Sequence, residues 1–151
     1  MLTVSDTRSA STDHSGEAIR RLIEQAGHRV VDHDILPDDP HRVRDRLSAW
    51  LADERFDGVI VNGGSGISRR DRTHEAVAAL IDQRLDGFGE LFRMLSWEQV
   101  GSAAMLSRAL GGIAGGKLLF ALPGSTAAVE LAMQRLILPE LGHLLAELAK
   151  E

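Results

Sequence analysis

The hydrophobic positions of this sequence follow two spacings, which alternate along the first half of the chain. Short apolar runs predict buried strands at Leu2–Val4, His28–Leu36 and Val59–Val61. Apolar residues recurring every three or four positions predict three helices, over residues 15–26, 40–53 and 73–81. Strand and helix therefore alternate three times, a pattern typical of a mainly parallel sheet with helices on both faces.

The second half of the chain is less regular. Leu85–Glu90 is rich in turn-forming residues, and capping-box spacing that begins at Ser96 predicts one more short helix. Ala109–Ile113 and Lys117–Leu122 predict two strands that two glycines join as a hairpin. Two helices follow, with a predicted break at Pro139 because proline cannot donate a helical hydrogen bond.

These elements predict an α/β fold, a three-layer α/β/α sandwich whose mostly parallel sheet includes an antiparallel hairpin. A length of 151 residues, 44% of them hydrophobic and 26% charged, predicts a single domain over residues 1–151. The net charge is −5 and no basic run is present, which argues against nucleic acid as a partner. Cysteine is absent, which excludes disulfides and thiolate catalysis. We find no signal peptide and no apolar run of membrane-spanning length, so we expect a cytoplasmic protein with no membrane partner.

The most informative stretch follows the third predicted strand, where the glycine-rich run 62–66 leads to Arg70 and Asp71. Glycines at these positions let the backbone take positive φ and approach a ligand closely. Thr73 is a candidate N-cap for the next helix. A glycine-rich crossover turn without a ligand is the alternative interpretation of the same residues. The run matches neither a Walker phosphate loop nor the dinucleotide-binding fingerprint.

Several polar loops are expected to meet this stretch, because the loops after successive parallel strands gather at one edge of the sheet. They contain Ser5-Asp6, Asp38-Asp39 and Pro123-Gly124-Ser125. Backbone N–H groups at helix starts suit an anion, whereas the aspartates would repel one unless a divalent cation lies between them. Together these features predict a site for a nucleotide with Mg²⁺.

Each acidic candidate also has a purely structural interpretation. Asp39 precedes Pro40 and is a good N-cap, Asp71 can pair with neighbouring arginines, and Glu90 can be a solvated helix residue. No pair of the six histidines has metal-ligand spacing on a shared helix. The histidines are therefore interpreted as surface or structural residues.

Seven motifs in order cover nearly the whole chain and resemble the MoaB/MogA family of molybdenum cofactor biosynthesis. They are V-S-D-T-R-S at 4–9, S-G at 15–16, P-D-D at 37–39, G-G-S-G-I-S-R-R-D at 63–71, G-F-G-E-L-F-R-M-L-S at 87–96, M-L-S-R-A at 105–109 and L-P-G-S at 122–125. The run at 87–96 is more similar to the MoaB branch than to the MogA branch. The chain departs from the usual family pattern at Asn62 and Ser65, where threonine is common, and at Arg72, where an aliphatic residue is usual.

The resemblance implies a molybdopterin-binding α/β domain that assembles as a homotrimer or hexamer and works with other molybdenum cofactor biosynthesis proteins. Active members adenylylate molybdopterin with ATP and Mg²⁺ and release pyrophosphate. By the same resemblance, Asp71 and Asp39 would be the catalytic acidic residues and tentative Mg²⁺ ligands. The expected substrate-binding residues are Ser5, Asp6, Asn62, Gly63, Gly64, Ser65, Gly66, Arg70, Glu90, Pro123, Gly124 and Ser125.

Two other functions remain open at this point. One is a non-catalytic molybdopterin-binding or scaffold homologue, which would keep the glycine-rich run and lose turnover. The other is a nucleotide-cleaving relative of the competence-damage proteins, which usually carry an additional domain. The sequence does not decide among the three.

Overall fold

The computed structural model describes residues 1–68 and 71–150 and contains one mixed six-stranded sheet. The strands are β1 Leu2–Val4, β2 Asp34–Leu36, β3 Gly58–Asn62, β4 Gln83–Arg84, β5 Leu110–Ala114 and β6 Lys117–Leu122. Their order is β2-β1-β3-β6-β5-β4. The first four strands in this order run parallel, while β5 pairs antiparallel with both β6 and β4. The predicted fold class, with its hairpin, is confirmed.

Helices cover both faces of this sheet. They are α1 His14–Gln25, α2 Pro40–Leu51, α3 Thr73–Ala78, α4 Asp86–Val100, a 3₁₀ helix Gly101–Leu106, α5 Thr126–Ala132, a π-helical turn Met133–Ile137 and α6 Leu138–Leu148. No helix among the described residues is both long enough and apolar enough to cross a lipid bilayer.

Strand β6 shows how the sheet separates two hydrophobic cores. Leu118 and Phe120 point to one face, where they join the core formed by α1, α4 and α5. Leu119 and Ala121 point to the other face and pack with α2 and α3. This alternation follows from the two-residue period of a strand, and it explains why every residue of 118–122 is buried.

The second strand is shorter than predicted. Only Asp34–Leu36 of the predicted strand His28–Leu36 pairs with β1, which itself has three residues. A strand can extend only as far as its neighbour offers hydrogen-bonding partners. Val30 and Val31 still pack against the two cores, which accounts for their apolar character.

The predicted turn at Leu85–Glu90 is wrong, because these residues begin the fifteen-residue helix α4. Gly89 serves packing rather than turning: a Cβ there would lie 2.9 Å from the carbonyl oxygen of Ala109. The capping-box prediction at Ser96 is also wrong, since Ser96 is buried within the same helix. Glycine is a poor helix former and is common in turns. A helix that uses a glycine such as Gly89 for close packing can therefore be mistaken for a turn when only the sequence is known.

Two helix boundaries also differ from prediction. The chain does not break at Pro139, because the π-helical turn joins α5 to α6 and Pro139 lies in the first turn of α6. Proline removes one N–H donor from this continuous helical run, and the irregular hydrogen-bond spacing of the π-helical turn directly before it accommodates the loss. Thr73 is the first residue of α3 rather than its cap, and its hydroxyl donates to Asp38 Oδ1 at 3.0 Å. The short polar strand β4 has no clear sequence signal and was not predicted.

Candidate functional site

A cleft of about 560 Å³ lies beyond the carboxyl ends of β1, β3 and β6. It brings together many of the residues that the sequence indicated, although they are far apart along the chain. The predicted residues that line it are Ser5, Gly63, Gly64, Ser65, Gly66, Asp71, Pro123, Gly124 and Ser125. The expectation that parallel-strand loops meet at one edge is therefore met by the structure.

Residues 63–66, here called the glycine loop, follow a path that only glycine permits at two positions. Gly63 and Gly64 have φ angles of 98° and 60°. A Cβ on Gly63 would lie 2.1 Å from the carbonyl oxygen of Val4, and one on Gly64 would lie 2.1 Å from Thr73 Oγ1. These two glycines therefore let the loop pack against its own protein, which holds the loop close to β1 and α3.

Asp71 closes the far side of the glycine loop. Its Oδ2 accepts a hydrogen bond from the backbone N–H of Ser68 at 2.9 Å, and its own N–H donates to the Ser68 carbonyl at 3.1 Å. The carboxylate lies so close to Gly66 that a Cβ there would be 2.6 Å from Asp71 Oδ2. Loop and carboxylate therefore form one wall of the cleft. Arg70 lies outside the described residues.

Asp38 is a carboxylate that the sequence analysis did not select as a site residue. Its Oδ1 accepts from Thr73 Oγ1 and, at 3.3 Å, from the backbone N–H of Arg72, while its own N–H donates to Asp6 Oδ1 at 3.1 Å. Burial raises the pKa of Asp38, and the negative charges of Asp71 and Asp6 raise it further. The negative charges of Asp6 and Asp71 therefore act on Asp38, beside the glycine loop.

Asp39, the second predicted catalytic carboxylate, has a structural contact that accounts for it, and neither it nor Asp38 is among the residues that line the cleft. Its Oδ1 accepts from the backbone N–H groups of His41 at 2.9 Å and Arg42 at 3.2 Å, so it is the N-cap of α2. The N–H of Arg42 and then that of His41 lower the pKa of this carboxylate. The capping interpretation is confirmed. Of the two adjacent carboxylates, Asp38 lies next to the glycine loop, since a Cβ on Gly64 would be 2.8 Å from Asp38 Oδ2.

Asn62 was expected to bind substrate, but it is fully buried and faces α1 rather than the cleft. Its Nδ2 donates to Ser15 Oγ at 2.7 Å, and its Oδ1 lies 3.1 Å from the hydroxyl of Thr3. Arg8 extends this network to the cleft by donating to Ser15 Oγ at 2.5 Å and to the Gly124 carbonyl at 2.7 Å. Asn62 therefore fixes the end of β3, and Arg8 fixes the loop after β6.

Behind this network lies a buried carboxylate, Asp13. Its Oδ2 accepts from the Thr3 hydroxyl at 2.5 Å and lies 3.2 Å from His33 Nε2, while its Oδ1 caps α1 through the N–H of Gly16. Burial lowers the pKa of His33, which favours the neutral ring with its Nε2 proton directed at Asp13.

The opposite wall of the cleft is apolar and comes from α4 and the 3₁₀ helix. It includes Phe92, Val100, Ala104 and Leu106. Sequence reasoning missed this wall because it assigned the start of α4 to a turn. Glu90 lies elsewhere: it lines a separate pocket with Arg84, Arg93 and Arg108 and does not reach the cleft.

The described residues contain no group of three or more histidine, aspartate or glutamate side chains arranged to hold a metal ion. The aspartates beside the glycine loop can contribute at most part of a coordination shell. A cation such as Mg²⁺ commonly takes one or two carboxylates and completes its shell with water and substrate phosphates.

The cleft combines a loop of backbone amides and the carboxylate of Asp71 with an apolar wall, and Asp38 and Asp6 lie near the same loop. This arrangement suits a ligand that has both a charged end and a flat, weakly polar body. The fold and the cleft together define a doubly wound type of α/β domain with its principal cleft at the carboxyl edge of the sheet.

Comparison with known proteins identifies the family. The family model described as "Probable molybdopterin binding domain" matches residues 1–143. Molybdenum cofactor biosynthesis protein B of Bacillus cereus is 50% identical over 152 aligned residues, which cover 100% of this chain and 90% of the relative. The chain belongs to the MoaB/MogA family of molybdenum cofactor biosynthesis proteins.

Solved structures agree with this assignment and with the MoaB branch. A crystal structure of molybdenum cofactor biosynthesis protein B matches with a TM-score of 0.96 and 50% identity, covering 99% of this chain and 94% of that one. A MogA structure matches with a TM-score of 0.89 but only 30% identity, covering 98% and 97%. The fold is shared across both branches, whereas the sequence is closer to the MoaB protein.

Proposed function

We propose that this protein binds molybdopterin in the cleft and adenylylates its terminal phosphate with ATP and Mg²⁺. Membership of a molybdenum cofactor biosynthesis family supports a role in that pathway. The observation that carries the proposal is the meeting of three features in one cleft: the glycine loop, the carboxylate of Asp71, and the apolar wall of α4. Asp38 lies behind the loop, close enough for the charge of Asp71 to raise its pKa.

The apolar wall would hold the pterin ring. Val100 and Leu106 are more than half exposed and carry no charge, so a flat heterocycle can bury a face against them. The N–H of Gly63 donates to the Leu122 carbonyl at 3.0 Å, so the backbone N–H groups of residues 64–66 would bind the phosphate oxygens. The loop can bring these groups close because it carries few side chains. Ser5 and Ser125 lie at the cleft with hydroxyl groups that can donate to the same ligand.

The reaction needs little chemistry from the protein. An oxygen of the terminal phosphate of molybdopterin attacks the α-phosphorus of ATP, a P–O bond forms, and the bond to the β-phosphate breaks to release pyrophosphate. Because a phosphate oxygen is already ionised, no strong general base is required. Catalysis then depends on alignment of the two phosphates and on neutralisation of their charge.

The residues present suit a hard divalent cation, because the side chains beside the glycine loop are carboxylates. Asp71 and Asp38 would hold it, and when bound it would neutralise phosphate charge between the two substrates. Asp6, whose Oδ1 accepts from the backbone N–H of Asp38, would add negative charge next to that carboxylate. Asp39 is not part of this proposal, since its carboxylate caps α2.

We also propose that the protein assembles as a homotrimer or as a pair of trimers. Large apolar side chains along α4 and the 3₁₀ helix, here called the α4 surface, are exposed in the isolated chain. They are Leu91, Met94, Trp97, Val100, Met105 and Leu106. Val100 and Leu106 also line the cleft, so a second copy packed on this surface would lie next to the substrates.

The direct test is turnover of the purified protein with molybdopterin, ATP and Mg²⁺, followed by pyrophosphate release and by mass spectrometry of adenylylated product. We expect one pyrophosphate for each molybdopterin consumed, and none when molybdopterin or Mg²⁺ is left out. Binding of molybdopterin without any pyrophosphate release would instead support a scaffold function. Pyrophosphate release from ATP without molybdopterin would favour a nucleotide-cleaving function.

A further inference from the structure

Arg108 lies behind the glycine loop, on the segment that leads into β5. Its Nη2 donates to the carbonyl oxygens of Gly66 at 2.5 Å and Asp71 at 2.6 Å, and its Nε donates to that of Ser65 at 3.2 Å. One side chain thus binds three carbonyl groups at both ends of the segment that carries the proposed phosphate-binding amides and Asp71.

These contacts also determine where the amides point. In a trans peptide the carbonyl oxygen and the next residue's N–H point in opposite directions. Because Arg108 draws the carbonyls of Ser65 and Asp71 towards itself, the N–H groups of Gly66 and Arg72 are directed away from it. The N–H of Arg72 indeed donates away from Arg108, to Asp38 Oδ1 at 3.3 Å.

Helix α3 holds Arg108 in place from two directions. Glu75 Oε1 accepts from Arg108 Nη1 at 2.5 Å, and His74 Nδ1 donates to the Arg108 carbonyl at 2.7 Å. The arginine side chain is 25% exposed. Four of the five N–H donors of a guanidinium are therefore used within the protein, which argues against a direct phosphate contact by this side chain.

We propose that Arg108 is a positioning residue that fixes the glycine loop and Asp71 relative to each other. It acts through the backbone of Ser65, Gly66 and Asp71 and touches neither substrate. Its relevance to catalysis rests on the proposed function, but its hold on the loop does not. Lysine cannot replace it, because a single ammonium lacks the planar fork that reaches three carbonyls at once.

Arg108→Lys tests the proposal, with Arg84→Lys as its matched control because Arg84 forms only an exposed pair with Asp86. In the protein without nucleotide, hydrogen exchange at the backbone amides of Ser68 and Arg72 should become about tenfold faster or more in Arg108→Lys, as expected for local opening. The same amides should keep wild-type rates in Arg84→Lys. Methylguanidinium at millimolar concentration should restore protection in Arg108→Ala.

A kinetic comparison separates positioning from binding. Arg108→Lys should lower kcat by about tenfold or more while KM for ATP changes by less than about threefold, because misplaced groups slow the chemical step most. Where Arg108→Lys does not fold, Glu75→Gln replaces it, and the amides of Ser68 and Arg72 should again exchange faster than in wild type.

Unchanged exchange in folded Arg108→Lys, or in Glu75→Gln where it replaces that variant, would overturn the proposal. A large rise in KM with unchanged kcat would overturn it as well, since that result means a direct substrate contact. A wild-type protein that neither binds nor turns over ATP would refute the proposed function alone, because the exchange experiment still decides whether Arg108 holds the loop.

Discussion

At the scale of single residues, two adjacent carboxylates follow the strand β2 and serve different purposes. The pKa of Asp38 is raised, chiefly by burial, whereas that of Asp39 is lowered by the N–H groups at the start of α2. The sequence indicated the cap, because proline at the first helical position puts the N-cap at Asp39. It did not indicate the role of Asp38, whose partner Thr73 lies 35 residues further along the chain. The hydrogen bond from Thr73 shows that Asp38 belongs with the glycine loop.

This division predicts opposite outcomes for two neighbouring isosteric variants. Asp38→Asn should lower adenylyl transfer by roughly 100-fold, because it removes a negative charge beside the phosphates, as in other sites of charge stabilisation. Asp39→Asn should keep both activity and melting temperature, since asparagine is as good an N-cap as aspartate. Steady-state kinetics and thermal melts on both variants check this, and the reverse order of activities would contradict our assignment.

At the scale of elements, the sequence predicted features that depend on local rules. Three of these predictions are confirmed. Helix α1 ends before Gly27, which has a φ of 82°, Asp39 caps α2, and β5 and β6 form a hairpin. The errors came where packing overrides local preference. Gly89 of α4 permits close contact with Ala109, directly before β5, and β2 is only as long as β1 allows it to be.

For the candidate site, the sequence predicted the location but not all of the residues that form it. Its location followed from topology, because loops after parallel strands gather at one edge. Its outer parts did not follow, since the apolar wall comes from α4, whose first residues were interpreted as a turn, and from the 3₁₀ helix, which was not predicted. The inward direction of Asn62 was equally hidden, because strand alternation assigns a face only once its neighbours are known.

At the scale of the whole molecule, the α4 surface contains most of the large apolar side chains that are exposed among the described residues. Leu91, Met94, Trp97 and Val100 recur at intervals of three, so each is adjacent to the next along the exposed side of α4. Trp97 is 62% exposed and Met94 is 56% exposed. A stripe of this kind on a soluble protein commonly marks an interface between subunits.

We expect light scattering at micromolar concentration to give three or six chain masses for the wild-type protein. Trp97→Glu should dissociate the assembly, because it places a charge in the centre of the proposed interface. Asp45→Lys is the matched control, since Asp45 is an exposed residue of α2 on the opposite face of the sheet. A wild-type mass of one chain would contradict the assembly.

The measurement that tests the central claim most directly is calorimetric titration of ATP into the protein with and without Mg²⁺. Our account predicts binding to wild type that requires Mg²⁺ and is lost in Asp71→Asn, while this variant melts within a few degrees of wild type because the substitution is nearly isosteric and on a loop. Binding of ATP that is indifferent to both Mg²⁺ and Asp71, or no binding at all, would contradict it.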